Sequence, residues 1–406
     1  MEIRPGYKKT EIGVIPEDWE VNEFGDVIDG FSSGQTPYRA ISDYYKGNIP
    51  WITSGELNYN VITDTIEKIT IEGVKAANLK MIPKGTFLFA ITGLEAAGTR
   101  GSCAITGIEA TTNQSCMALY PKKNVLITPY LFHYYVKYGN ELAFKYCQGT
   151  KQQSYTGGTA RKLPIIVPSS VREQTAIATA LSDADILITS SEKLIEKKRN
   201  IKQGVMQLIL RPQRGWEVKE LGDICEMYSG GTPLTSNSNY YNGTIPWVVI
   251  ADITKAGKYI SETEKTISNE GLINSSAKMF KKGILLFAMY ASIGKTAIAL
   301  MDTTCNQAIL GIQPKSIDTE YLYYFLSFNQ KHFTTIGQTG TQSNLSKDIV
   351  QKIEIPLPSI EEQTRIATIL SDMDAEIASL EAKLEKYRNI KRGMMQNLLT
   401  GKIRLV

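Results

Sequence analysis

The chain has 406 residues, 42% hydrophobic and 21% charged, which is ordinary for two or three folded domains with ample length for real cores. It has no apolar run of about 18 residues, as a membrane span would need, and no apolar stretch after Met1 to direct export. A net charge of +4 and a pI near 8.5 permit a polyanionic partner without demanding one, and five cysteines (Cys103, Cys116, Cys147, Cys225, Cys305) with no close pairs point to reduced thiols in a cytoplasm.

Residues 1–18 (MEIRPGYKKTEIGVIPED) stand alone, and from Trp19 onward the chain is written twice. Trp19, Glu20 and Val21 match Trp216, Glu217 and Val218, Gly25 matches Gly222, and Thr36-Pro37 matches Thr232-Pro233. DYYKGNIPW answers NYYNGTIPW, ending at Trp51 and Trp247, a pair that reads as core. GTFLFAITG (85–93) answers GILLFAMYA (283–291), and Asn113-Gln114 answers Asn306-Gln307. Between these landmarks the first copy is five residues longer, so its loop after the LFA strand is longer. A Tyr- and Phe-rich segment (129–139, 320–330) predicts a helix against the sheet, and a polar loop follows (148–162, 337–348). Short β-rich runs punctuated by Gly, Pro and Asn make each copy a mixed, mostly β globule.

Each globule runs into a helical stretch, residues 172–210 and 361–399, repeated without a gap at an offset of 189. Glu173 falls on Glu362, Asp185 on Asp374, and Arg199-Asn200-Ile201-Lys202 on Arg388-Asn389-Ile390-Lys391. Ser170 and Glu173, like Ser359 and Glu362, have capping-box spacing. Ile366, Leu370, Met373, Ile377, Leu380, Leu384, Tyr387 and Met394 recur in steps of three and four, which is a coiled-coil seam. In the first copy Ile177, Leu181, Ala184, Ile188, Ile195 and Val205 take the same stripe, with Leu187, Leu194, Ile201 and Leu208 beside it. At 1.5 Å per residue each helix would reach about 58 Å, and two such helices can bury each other's stripe. The alternative is that each packs on its own globule. Arg199, Lys202, Arg388 and Lys391 are expected on outer faces, free for partners.

Catalytic signatures do not assemble. His133 and His332 occupy non-equivalent places beside aromatics and read as packing residues. No His/Cys/Asp spacing suits a metal. Gly294-Lys295-Thr296 lacks the first glycine of a P-loop, since Met289 stands there. Asn48-Ile49-Pro50-Trp51 only faintly resembles an amino-methyltransferase motif, and copy two replaces its asparagine with Thr244.

With two diverged globules and two near-invariant helices, the chain resembles the specificity subunit of type I restriction–modification systems. The resemblance rests on KKTEIGVIPEDWEV, on G-x-TP followed by YY…IPW, on LFA…NQA, on the PLPSIEEQ-R-IA-ILS-D helix starts, and on LLTGK at residues 398–402. It implies an α+β fold: two mixed, mostly β target-recognition domains separated by two long antiparallel helices forming a coiled coil, with a pseudo-twofold internal repeat. The expected boundaries are residues 1–168 (first recognition domain), 169–211 (first spacer helix), 212–357 (second recognition domain) and 358–406 (second helix and tail). It also implies double-stranded DNA with a bipartite site as ligand, and two methylation subunits carrying S-adenosylmethionine as partners. Restriction–translocase subunits would join the full complex, and no cofactor is expected on this chain. The rival classes are a stand-alone DNA methyltransferase or nuclease, and a coiled-coil adaptor with no DNA role.

Reading bases requires donors, acceptors and guanidinium forks on loops that enter a groove. In the first copy the candidates are Thr36, Tyr38, Arg39, Thr99, Arg100, Lys151, Gln152, Gln153, Tyr155 and Arg161. In the second they are Thr232, Thr235, Ser292, Lys295, Gln338, Thr341, Gln342, Asn344 and Lys347. Lysines and arginines would chiefly hold phosphates, while Gln, Asn and Arg can discriminate bases. The bland reading makes most of these solvated turn residues.

Overall fold

A computed structural model describes residues 4–96, 98–147, 153–338 and 344–405. The chain divides into two compact units: Met1–Glu192 with Lys383–Val406, and Lys193–Ala382.

In the first unit a five-stranded sheet runs in the order Ile28–Ser33, Cys116–Pro121, Phe87–Ala90, Cys103–Thr106, Asn60–Ile62. The Phe87–Ala90 strand is buried at every position, so it reads as a continuous apolar run and not as an alternation. The Tyr- and Phe-rich segment forms the helix Thr128–Tyr146, with Pro129 in its first turn, where no amide partner is lost. Its Tyr135 ring lies 5.6 Å from that of Phe87 and 5.3 Å from that of Phe89, which docks the helix on the sheet.

The second unit repeats the order with Cys225–Ser229, Ile309–Pro314, Leu285–Ala288, Thr296–Ala299, Tyr259–Ile260. Here the aromatic helix breaks at Asn329 into Thr319–Phe328 and Gln330–Gln338, because the Asn329 side chain donates back to the Phe325 carbonyl (2.8 Å). The five extra residues of the first copy fall in the connection between Phe87–Ala90 and Cys103–Thr106. In each unit the strand that opens the repeat pairs antiparallel with the strand that precedes the long helix. These pairs are Trp19–Glu23 with Pro164–Pro168, and Glu217–Glu220 with Glu354–Leu357.

The long helices span Val171–Ile209 and Ile360–Leu398. Ser170 and Ser359 each accept from the amide three residues on, at 3.4 and 3.3 Å, so half of each capping box forms. The returning halves take other partners: the Glu173 carboxylate goes to Trp19 and Arg404, and that of Glu362 to Arg365. The next residue does more to seat each helix. Buried Gln174 bridges the Pro168 and Val125 carbonyls and the Ile127 amide, and Gln363 does the same with Pro358 and Asp318.

In the first unit Ile177 and Leu181 lie in the globule's core together with Leu398 and Leu399 from the end of the second helix, and Met394 packs against them. In the second unit Ile366 and Leu370 join a core with Leu210, flanked by Val205 and Met373. Ala184, Ile195, Ile377 and Leu384 are buried, while Ile188, Leu380 and Tyr387 are half-buried. Leu187, Leu194, Ile201 and Leu208 do not flank a buried seam but are exposed, because a neighbouring helical position lies about 100° around the axis.

The bases expected on outer faces are paired across the helices. In the first unit Lys391 donates to Asp185 (2.5 Å) and Arg388 to Glu192 (2.7 Å). In the second, Lys202 pairs with Asp374 and Arg199 with Glu381 (2.5 Å). Within each unit one partner's number falls as the other's rises, so the paired segments run antiparallel. Pairs this accessible contribute roughly 0–1 kcal/mol each. Their weight lies in setting register.

His133 is buried at 1% exposure, with Nε2 3.0 Å from Ser182 Oγ, whereas His332 is exposed and does not pack as expected. Burial, helped by the Lys391 ammonium, pushes the His133 imidazole down to about 4. The folded value lies below the unfolded one of ~6.5, so the folded state binds fewer protons. The stability this neutral imidazole contributes is complete above pH ~6.5 and is lost as pH falls towards about 4. Denaturant melts across that window should show a slope that His133→Gln flattens; the same slope in the variant would assign the titration to other groups.

Candidate functional site

In the first unit strand Ile28–Ser33 ends at Gly34, which lies so close to Thr112 that a Cβ would come 1.7 Å from its carbonyl oxygen. The loop that follows is fixed on all sides. Gln35 donates its amide to Thr112 O (3.1 Å), and Thr36 donates its hydroxyl to Gln114 Oε1 (2.5 Å). Trp51 donates its indole N–H to Gln35 O (3.1 Å), and Tyr45 its hydroxyl to Pro37 O (2.5 Å). The Tyr45 and Trp51 rings meet edge to face at 5.9 Å. Tyr38 then stands 72% exposed, and its carbonyl closes a turn by accepting from the Ile41 amide (3.1 Å). Arg39 forms a fork with Glu67 at 2.5 and 2.8 Å, with its guanidinium 4.3 Å from the Tyr45 ring. That fork holds the Glu67 carboxyl below the usual carboxylate range.

The second unit builds the same loop on anchors of the same kind and carries different residues at its tip. A Cβ on Gly230 would come 2.1 Å from Asn306 O, and Gly231 donates to Cys305 O (2.9 Å). Thr232 pairs with Gln307, Trp247 donates to Gly231 O (3.0 Å) and Tyr241 to Pro233 O (2.6 Å). The Tyr241 and Trp247 rings stand edge to face at 5.8 Å. Leu234, 64% exposed, takes the place of Tyr38, and its carbonyl accepts from Asn237 (3.1 Å); Thr235, also exposed, takes the place of Arg39.

The tryptophans are thus core residues whose N–H groups also hold a loop. Thr36, Tyr38, Arg39, Thr232 and Thr235 are legible in the sequence as candidates, whereas Leu234 and the anchors Tyr45, Tyr241, Gln114 and Gln307 emerge only in the fold. The signal was the repetition of YY…IPW and of Asn-Gln behind a Thr-Pro turn.

Other candidates gather at the next loops. Arg100 is half-buried and folds back on its own loop, its Nε donating to Leu94 O (2.7 Å) and its guanidinium 5.8 Å from the exposed Phe144 ring, and half-buried Thr99 lies beside it. Gln153 ties the polar loop to the longer loop through Leu94 (3.1 Å) and the Glu95 carboxylate (2.9 Å). Tyr155 belongs to the core at 3% exposure, 5.8 Å from the Phe89 ring, so it offers no contact surface. Arg161 lies exposed over the Phe31 ring at 4.3 Å. In the second unit Ser292 Oγ is 3.2 Å from Thr254 Oγ1, half-buried Lys295 closes the adjoining turn, and Asn344 bridges to Tyr290 as Ser154 does to Thr92. Lys347 opens the short helix Lys347–Gln351, and Gln338 closes Gln330–Gln338. Lys151, Gln152, Thr341 and Gln342 lie outside the described residues. Among the described residues no group of three or more His, Cys, Asp or Glu could hold a metal, and no helix is long and apolar enough to cross a membrane.

A family model for the type I restriction modification DNA specificity domain matches residues 16–200 and again 213–387. The chain belongs to that family of type I restriction–modification specificity subunits. It is 25% identical to the type I restriction enzyme MjaIX specificity subunit of Methanocaldococcus jannaschii, over 98% of this chain and 96% of that one. It is 27% identical to the putative MjaX specificity subunit of the same organism, over 98% and 97%. The S subunit of a type I restriction–modification system from M. genitalium has the same fold, with a TM-score of 0.62 at 15% identity over 98% of each chain. As a specificity subunit the chain is a DNA-recognition component and not an enzyme.

Proposed function

We propose that each unit carries a target-recognition domain reading one half of a bipartite site in double-stranded DNA, and that the paired helices form a coiled coil with a pseudo-twofold repeat that sets the unread spacer. The observation that carries this reading is the same braced loop built twice, with different residues at its tip. One scaffold with two tips suits two different half-sites. The functional division follows the sequence boundaries, with residues 169–211 and 358–406 as spacer segments.

Two methylation subunits would dock on the helices and supply S-adenosylmethionine, and restriction–translocase subunits would complete the assembly. The exposed Leu187, Leu194, Ile201 and Leu208, each seven residues from the next, offer a partner helix an apolar stripe.

The test is to purify the chain with its methylation subunit and map modified adenines in genomic DNA. A split motif with a fixed gap is expected. Inserting seven residues after both Ser190 and Ser379 keeps the stripe in phase and adds about 10 Å, so the gap should lengthen by roughly three base pairs with both half-sites unchanged. An unchanged gap would rule out the helices as the ruler.

A further inference from the structure

We propose that Tyr38 and Leu234 are a matched pair of specificity-determining residues, each presented by its domain's braced loop to the base edges of its own half-site. This deepens the reading above and rests on it. A single exposed apolar side chain means little, because many sit on any protein surface. What distinguishes these two is where they stand. Each immediately follows a Thr-Pro pair fixed by the same interactions: a glycine with no room for a side chain, a threonine on a glutamine, a tyrosine on the proline carbonyl, and an indole on the carbonyl before the threonine. Each also opens the same turn, its carbonyl accepting from the amide three residues on at 3.1 Å. The anchors recur in kind in both domains, and the residue they present does not. A loop held this firmly gives up little conformational entropy on binding, which is what a discriminating contact needs.

The two tips differ in chemistry. Leu234 has no side-chain donor or acceptor, and its neighbour Thr235 has only a hydroxyl, so this tip discriminates through apolar contact with base edges. Tyr38 adds a phenol hydroxyl, and beside it Arg39 is held by Glu67 against the Tyr45 ring. The first domain therefore presents a polar tip whose guanidinium is neutralised by Glu67, and the second an apolar one, and their half-sites should differ at the base pairs beneath them.

The test uses the full chain in complex with its methylation subunit, with Leu234→Ala, Tyr38→Ala and the exchange Tyr38→Leu with Leu234→Tyr. Both side chains are exposed, so melting temperatures should match the wild type. Leu234→Ala should relax one or two positions of one half-site and slow methylation of the original site roughly 5- to 100-fold, the range of one good base contact. Tyr38→Ala should do the same in the other half only. In the exchange variant both halves should shift preference at those positions. Motifs identical to wild type in all three variants would overturn the assignment, and so would equal loss at every sequence, which marks a phosphate or non-specific contact. A wild-type complex that gives no split motif would instead sink the underlying reading.

Discussion

Replacing Arg404 with alanine should lower the stability of the first unit by about 3–5 kcal/mol, the cost of leaving the buried Glu173 carboxylate without the half-buried guanidinium that pairs with it. Arg404 Nε and Nη2 reach the two Glu173 oxygens at 2.5 and 2.8 Å, and Nη1 and Nη2 reach those of Asp18 at 2.9 and 2.8 Å. Glu173 is 1% exposed, and without the guanidinium its carboxylate keeps the Trp19 indole N–H (3.1 Å) as a hydrogen-bond donor with no cation beside it. Beside this network Tyr7 donates its hydroxyl to the Gly401 carbonyl (2.8 Å). In calorimetry the unfolding of this unit should move down by roughly 6–15 °C. Adding Glu173→Gln to the variant should recover part of the loss by removing the stranded charge while leaving an acceptor for Trp19. A variant within about 0.5 kcal/mol of wild type would mean that water reaches Glu173 and the pair contributes little.

The second large effect is expected at Gly34. Its backbone does not require glycine; the space does, because the Thr112 carbonyl occupies the position a Cβ would take. Gly34→Ala must push the loop off the strand, and the Gln35 amide, the Thr36 hydroxyl and the Trp51 indole lose their partners together. Overpacking of this kind costs about 1–3 kcal/mol of stability. The larger loss is in recognition, because Tyr38 and Arg39 move as one. Two contacts displaced together should reduce methylation of sites carrying the first domain's half-sequence by roughly 100-fold, with the second half-sequence still read as before. Gly230→Ala should give the mirror result. If Gly34→Ala leaves site choice untouched, this loop does not face DNA.

The long helices were legible because the chain writes their apolar period and their serine caps twice without a gap. The same repetition marked the loop that carries Tyr38, although not the tyrosine, tryptophan and glutamine that hold it. What escaped was long-range partnership. Arg199, Lys202, Arg388 and Lys391 look like solvated bases in a one-dimensional stripe, and their acids lie 172 to 206 residues away. Arg404 sits in a tail with no repeat to flag it, and its carboxylate partner Glu173 is 231 residues distant. Tyr155 was misread because its neighbours are polar, while its ring turns in towards Phe89. The capping glutamates failed for the same reason: local spacing offered one partner and the fold supplied another.

Four of the cross-helix pairs carry a consequence for descent. Arg199 with Glu381 and Arg388 with Glu192 are one pairing written twice, as are Lys202 with Asp374 and Lys391 with Asp185. A half-length ancestor bearing Asp185, Glu192, Arg199 and Lys202 would have held its own complement, and two copies could have met through a twofold interface before any fusion. After fusion, a change at one of these positions strands its partner in the other copy unless that partner changes too. A loop tip answers to no such partner. Change at these four helix positions therefore calls for paired change, whereas Tyr38 and Leu234 can change one without the other.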